Sequence, residues 1–104
     1  MGYRSEVVVR ICEKATEVVK LFCKLDPKVK SLIDDAEYGD DTVYQWSWVK
    51  WYDHDPDIRA FLHMLEEIGD ENYGFIRLGE ESDDIEYLGS PYEFDMYVSR
   101  KIEW

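Results

Sequence analysis

Basic side chains are scarce in this sequence. Twelve Lys and Arg stand against twenty-four Asp and Glu, a formal charge of -12. So negative a chain is poorly suited to bind nucleic acid directly, because that requires Lys and Arg to displace counterions from phosphates. The same sign disfavours an anionic membrane surface. No apolar run approaches the roughly 20 residues of a membrane span. The opening Met1-Gly2-Tyr3-Arg4-Ser5-Glu6 lacks the basic start and apolar core of a signal peptide, and Glu6 stands where a myristoylation signal needs Ser or Thr. Cysteine is limited to Cys12 and Cys23, too few for a disulfide framework and expected as reduced thiols of a cytoplasmic protein. No glycine-rich phosphate loop, internal repeat or low-complexity tract is present.

What is abundant is aromatic and apolar bulk. Four Trp, eight Tyr and four Phe in 104 residues exceed what disordered chains carry, and the length fits one domain spanning 1-104. The charge is uneven. Residues 1-30 hold seven basic and four acidic side chains, a net +3; residues 31-104 hold five and twenty, a net -15. Such asymmetry concerns association and solubility rather than fold.

The apolar pattern predicts the elements. Tyr3 to Ile11 reads as a central strand, with β-branched Val7, Val8, Val9 and Ile11. Ala15, Val18, Val19, Phe22 and Leu25 share one face of a helix from about 13 to 25. Pro27 opens a second helix to about Asp35 that buries Val29, Leu32 and Ile33. Thr42 to Tyr52 reads as a long strand whose alternation puts Tyr44, Trp46, Trp48, Lys50 and Tyr52 on one face, with Val43, Gln45, Ser47, Val49 and Trp51 on the other. Asp55 is placed to cap a helix from Pro56 to about Ile68 with Ile58, Phe61, Leu62 and Leu65 inward. Tyr73–Leu78 and Ile85–Leu88 read as a hairpin around the acidic turn at 79–84. Glu93–Ile102 reads as a last strand with Phe94, Met96, Val98 and Ile102 on one face. The order β-α-β-α-β-β-β implies an α+β two-layer sandwich, a mostly antiparallel sheet with two or three helices on one face.

Little in the sequence carries reaction chemistry. Asp53, Asp55 and Asp57 begin like a calcium loop, but the sixth and twelfth positions hold Ile58 and Met64 where Gly and Glu are required; an Asp-rich helix start explains them better. His54 and His63 lack zinc-site spacing, and nothing places either beside Cys12 or Cys23 as a nucleophile and base would need. The expectation is a non-enzymatic protein without metal or cofactor.

The acidic segments are the candidate site. One comprises Asp34, Asp35, Glu37, Asp40 and Asp41; another Glu80, Glu81, Asp83, Asp84 and Glu86. Duplex DNA presents one charge per about 1.7 Å of axis, and dense carboxylates on a small rigid protein can compete for the same basic groove. Trp46 and Trp48 join these as candidate partner contacts, since Trp is enriched at binding hot spots.

The segments Gly2-Tyr3-Arg4-Ser5-Glu6-Val7, Trp48-Val49-Lys50-Trp51-Tyr52, Phe75-Ile76-Arg77-Leu78-Gly79-Glu80 and Asp83-Asp84-Ile85-Glu86 resemble those of a group of small acidic phage and prophage proteins that open with Gly-Tyr-Arg-Ser-x-Val. The group supplies no residue roles to carry over. The resemblance implies a phage or mobile element acting in the bacterial cytoplasm, where small acidic proteins inhibit host defence or nucleic-acid enzymes, as anti-CRISPR and anti-restriction proteins do. The expected partner is therefore a basic surface of a host protein, with neither nucleic acid nor membrane bound directly. The alternative is a phage assembly protein that self-associates, as a homodimer for instance, through its basic first helix and acidic C-terminal half.

Overall fold

The computed structural model describes residues 3–81, 83–98 and 102–104. Strand β1 (Ser5–Ile11) leads through a turn of 3-10 helix at Glu13–Ala15 into α1 (Thr16–Leu25) and α2 (Pro27–Asp34). A two-residue strand β2 (Tyr38–Gly39) precedes β3 (Val43–Val49), followed by α3 (Pro56–Ile68), β4 (Tyr73–Gly79) and β5 (Ile85–Gly89). A 3-10 turn at Pro91–Phe94 and the short strands β6 (Tyr97–Val98) and β7 (Ile102–Glu103) complete it. The main sheet has the order β2-β3-β1-β4-β5 with every neighbouring pair antiparallel. The three helices and this antiparallel sheet make the α+β class expected from the pattern.

Local chemistry sets the helix ends. Asp26 separates α1 from α2: its extended backbone breaks the first helix, and its Oδ1 accepts the Lys28 N–H at 3.0 Å, with Pro27 in the first helical position. Asp55 holds the corresponding place before Pro56 but makes no side-chain cap; its carboxylate lies 3.8 Å from His54 Nε2 instead. Gly69 ends α3 at φ +96, a conformation open to glycine.

The helices cover one face of the sheet. Val7, Val9, Trp46 and Phe75 from the strands meet Val19, Phe61, Met64 and Leu65 in a buried core. Trp46 Nε1 donates to the Leu32 carbonyl at 2.9 Å, so its one polar atom is satisfied inside. Leu25 does not join this core: it is 74% exposed, because α1 ends there and the chain turns at Asp26.

Two expectations for the strands are corrected. The first concerns β3. Trp51 packs 5.3 Å from Trp46 in the helix-side core, while Trp48 is 69% exposed. The cause is a register shift opposite β1 between Ser5 and Val7, together with a left-handed backbone at Trp48 (φ 57). One extra residue in a strand reverses side-chain parity beyond it. β3 accordingly stops at Val49 rather than Tyr52.

The second correction is the last strand. Residues 93–102 do not form one strand in the sheet. Pro91–Phe94 is a 3-10 turn, Asp95 is left-handed (φ 58), and Tyr97–Val98 pairs with Ile102–Glu103 in a separate small ladder; residues 99–101 of that expectation lie outside the described residues. Met96 and Ile102 of the apolar set are nonetheless buried, packing on Val8 and Ile76 beneath the second face of the sheet, with Phe94 and Val98 partly buried against them. Gly74 permits this approach, since a Cβ there would stand 2.9 Å from Pro91 Cα and 3.0 Å from Met96 Sδ.

Candidate functional site

The acidic turn between β4 and β5 is organised by one arginine. Antiparallel register sets Arg77 opposite Glu86. Its Nη2 lies 2.8 Å from Asp84 Oδ1, its Nε lies 3.1 Å from Glu86 Oε1, and its Nη1 reaches Ser5 Oγ at 3.1 Å. Tyr3 donates its hydroxyl to Asp84 Oδ2 at 2.6 Å and accepts the Glu81 N–H at 3.2 Å. The Arg77 guanidinium, and then the Tyr3 hydroxyl, hold Asp84 below the usual carboxylate range; the same Asp84 contact raises Tyr3. Two of the five predicted carboxylates, Asp84 and Glu86, therefore carry a local counter-ion. Glu80, Glu81 and Asp83 are exposed, and Glu80 accepts the Arg4 N–H at 3.2 Å.

The other acidic stretch divides in the same way. Asp34 pairs with Lys30 at 2.9 Å and Asp41 with Lys20 at 3.5 Å. Asp40 is a turn residue: its Oδ1 accepts N–H and hydroxyl hydrogens of Thr42, which depress its pKa, and it also accepts the Val43 N–H. Asp35 and Glu37 remain exposed.

Three of these remaining acids, Asp35, Glu37 and Glu80, line grooves beside Trp48. On one side of its ring a groove of about 260 Å³ runs along the outer edge of β3, lined by Leu32, Asp35, Glu37, Ser47 and Lys50. On the other side a groove of about 250 Å³ is lined by Glu6, Leu78 and Glu80. Arg4 borders both. The structure thus brings Asp35, Glu37, Trp48 and Glu80 around one projecting indole. Trp46 takes no part in that surface, being buried. Arg4 and Lys50 share it; neither is among the candidate contacts read from the sequence, although both lie within the resembling segments and alternation puts Lys50 on the face of Trp48.

A third hollow lies at the same end of the sheet. It is open, about 400 Å³, and lined by Tyr3, Trp51, Asp53, His54 and Glu86 among others. Tyr52 and His54 stack with rings parallel to within 4° and centroids 5.6 Å apart. Tyr52 also accepts the Tyr3 N–H at 2.8 Å. Of the Asp-rich helix start, Asp53 faces this hollow and Asp57 sits in the first turn of α3.

No helix among the described residues is long and apolar enough to cross a membrane. Compared with protein-family models, with curated proteins and with solved structures, the chain matches none of them.

Proposed function

We propose that this protein is a non-enzymatic, phage- or mobile-element-borne inhibitor that docks on the basic surface of a host nucleic-acid-binding or defence protein in the bacterial cytoplasm. The observation that carries this reading is Trp48, 69% exposed, standing between Asp35 and Glu37 on one side and Glu80 on the other. An exposed indole supplies the apolar anchor of an interface, and surrounding carboxylates steer it onto a cationic surface that otherwise holds phosphates. The experiment is affinity capture from bacterial lysate at low and high salt, with duplex DNA as competitor. Proteins retained at low salt are expected to be released by salt and by DNA, and to be lost with Trp48→Ala and with Glu80→Lys/Asp83→Lys. Retention that ignores both salt and DNA overturns the reading.

Self-association is a second reading, favoured by Leu21 and Leu25, which lie one turn apart on α1 and are 53% and 74% exposed. Sedimentation over a concentration series decides it: a mass equal to one chain throughout removes it.

A further inference from the structure

The hollow beside Trp51 has features that an acidic surface alone does not explain. Trp51 is 5% exposed and forms part of its wall. Among the described residues, Trp51 Nε1 is the single buried side-chain polar atom without a hydrogen-bond partner. A buried donor left unpaired is costly, and this one belongs to a residue in the wall of the hollow. The charges in the wall are Asp53, Asp84 and Glu86 against Arg77, an excess of two negative. Arg77 takes up one oxygen of Glu86, and Tyr3 with Arg77 takes up Asp84, so Asp53 and the second Glu86 oxygen remain as acceptors. The stacked Tyr52–His54 pair offers a flat aromatic surface beside them.

We infer that this hollow receives an arginine side chain of the partner protein. A guanidinium is planar, stacks on aromatic rings and donates in a fork to carboxylates, so it matches the aromatic pair and the Asp53–Glu86 acceptors together. Trp51 stands in the wall of the same hollow, so its indole N–H reports what enters there. An anionic ligand fits poorly, because Arg77 is already compensated twice by carboxylates. The inference rests on the reading above that the partner surface is basic, and it adds a second contact point to Trp48.

The test uses a small probe and no partner. The ¹⁵N-labelled protein is titrated with N-acetyl-arginine methylamide at low salt, and in parallel with the citrulline analogue, which is neutral and of nearly the same shape. Trp51→Phe assigns the indole signal. The arginine probe is expected to move the Trp51 indole N–H resonance saturably, and the citrulline probe is not. Asp53→Asn and Glu86→Gln are each expected to weaken the probe about fivefold. Asp53→Asn keeps this informative, since Asp53 is exposed and its loss leaves the fold intact. Equal responses to both probes, or a static Trp51 signal, overturn the inference. That failure would leave DNA-displaceable capture through Trp48 standing, whereas loss of such capture would leave a measured arginine site in place.

Discussion

The two faces of the sheet are buried by different means. Alternate residues of β1 point to each: Val7, Val9 and Ile11 toward the helices, Val8 toward the C-terminal segment. On the helix side, seventeen buried residues among those described form one cluster, in which Trp46, Trp51 and Phe61 have ring centroids 5.3 to 6.1 Å apart and Phe75 lies 5.9 Å from Trp51. On the opposite side, the cluster holds four buried residues among those described, under a 3-10 turn and a two-stranded ladder. Arg10 ties that cover down, donating to the carbonyls of Phe94 at 3.0 Å and Trp104 at 3.2 Å. A large aromatic core is self-supporting. The thin cover depends on a few contacts and on backbone hydrogen bonds from a charged residue.

The largest effect is expected where the aromatic cluster is cut. Phe61→Ala removes a fully buried ring that contacts both Trp46 and Trp51, and should cost about 4 kcal/mol of unfolding free energy, read from denaturant midpoints. Met96→Ala cuts the other face at its centre and should cost about 3 kcal/mol, the flexible thioether leaving a site that collapses more easily. If Met96→Ala costs as much as Phe61→Ala, the cover is as integral as the helix core and the contrast between the faces fails.

That contrast was only half legible in the sequence. The helix-side core followed from spacing: Val19, Val29, Leu32, Phe61 and Leu65 all lie where periodicity 3.6 put them. On the other side, the buried identities of Met96 and Ile102 were legible but the strand joining them was not. Their period of two is shared by any extended chain, whereas the left-handed turn at Asp95 and the close approach to Gly74 are tertiary facts. The site shows the same limit. Carboxylates can be listed from the sequence, but Arg77 neutralises Asp84 and Glu86 through the β4–β5 register, and Lys20 reaches Asp41 from a different element. Nor does any residue type announce a left-handed tryptophan; the parity of Trp48 and Trp51 reversed at a bulge that only the pairing with β1 defines.

Trp48 adds a smaller effect of another kind. Its φ of 57 is strained for a bulky side chain, and strain of this sort is retained where neighbouring structure or function demands it. Trp48→Gly should be more stable than Trp48→Ala by about 1 kcal/mol, since glycine occupies this region freely. Both variants should lose capture of the partner equally. Alanine matching glycine in stability would mean the backbone relaxes out of the left-handed region once the indole is gone.

The smallest effect belongs to the hairpin beside the thin face, and its sign is fixed by Arg77. The folded protein holds Asp84 below the ordinary carboxylate range, so it binds that proton less readily than the unfolded chain does. The stabilisation is therefore complete above the unfolded value of about 3.9 and disappears as the pH falls through the folded one. The Asp84 side chain is 36% exposed, and solvent screening limits the contribution to about 0.5 kcal/mol at neutral pH. Comparing the protein with Asp84→Asn by denaturant unfolding across this range should show two curves converging on acidification. Curves that stay parallel down to the acid limit would mean that the Arg77–Asp84 pair adds nothing beyond shape, and that Tyr3 and Ser5 hold this corner of the sheet by hydrogen bonding alone.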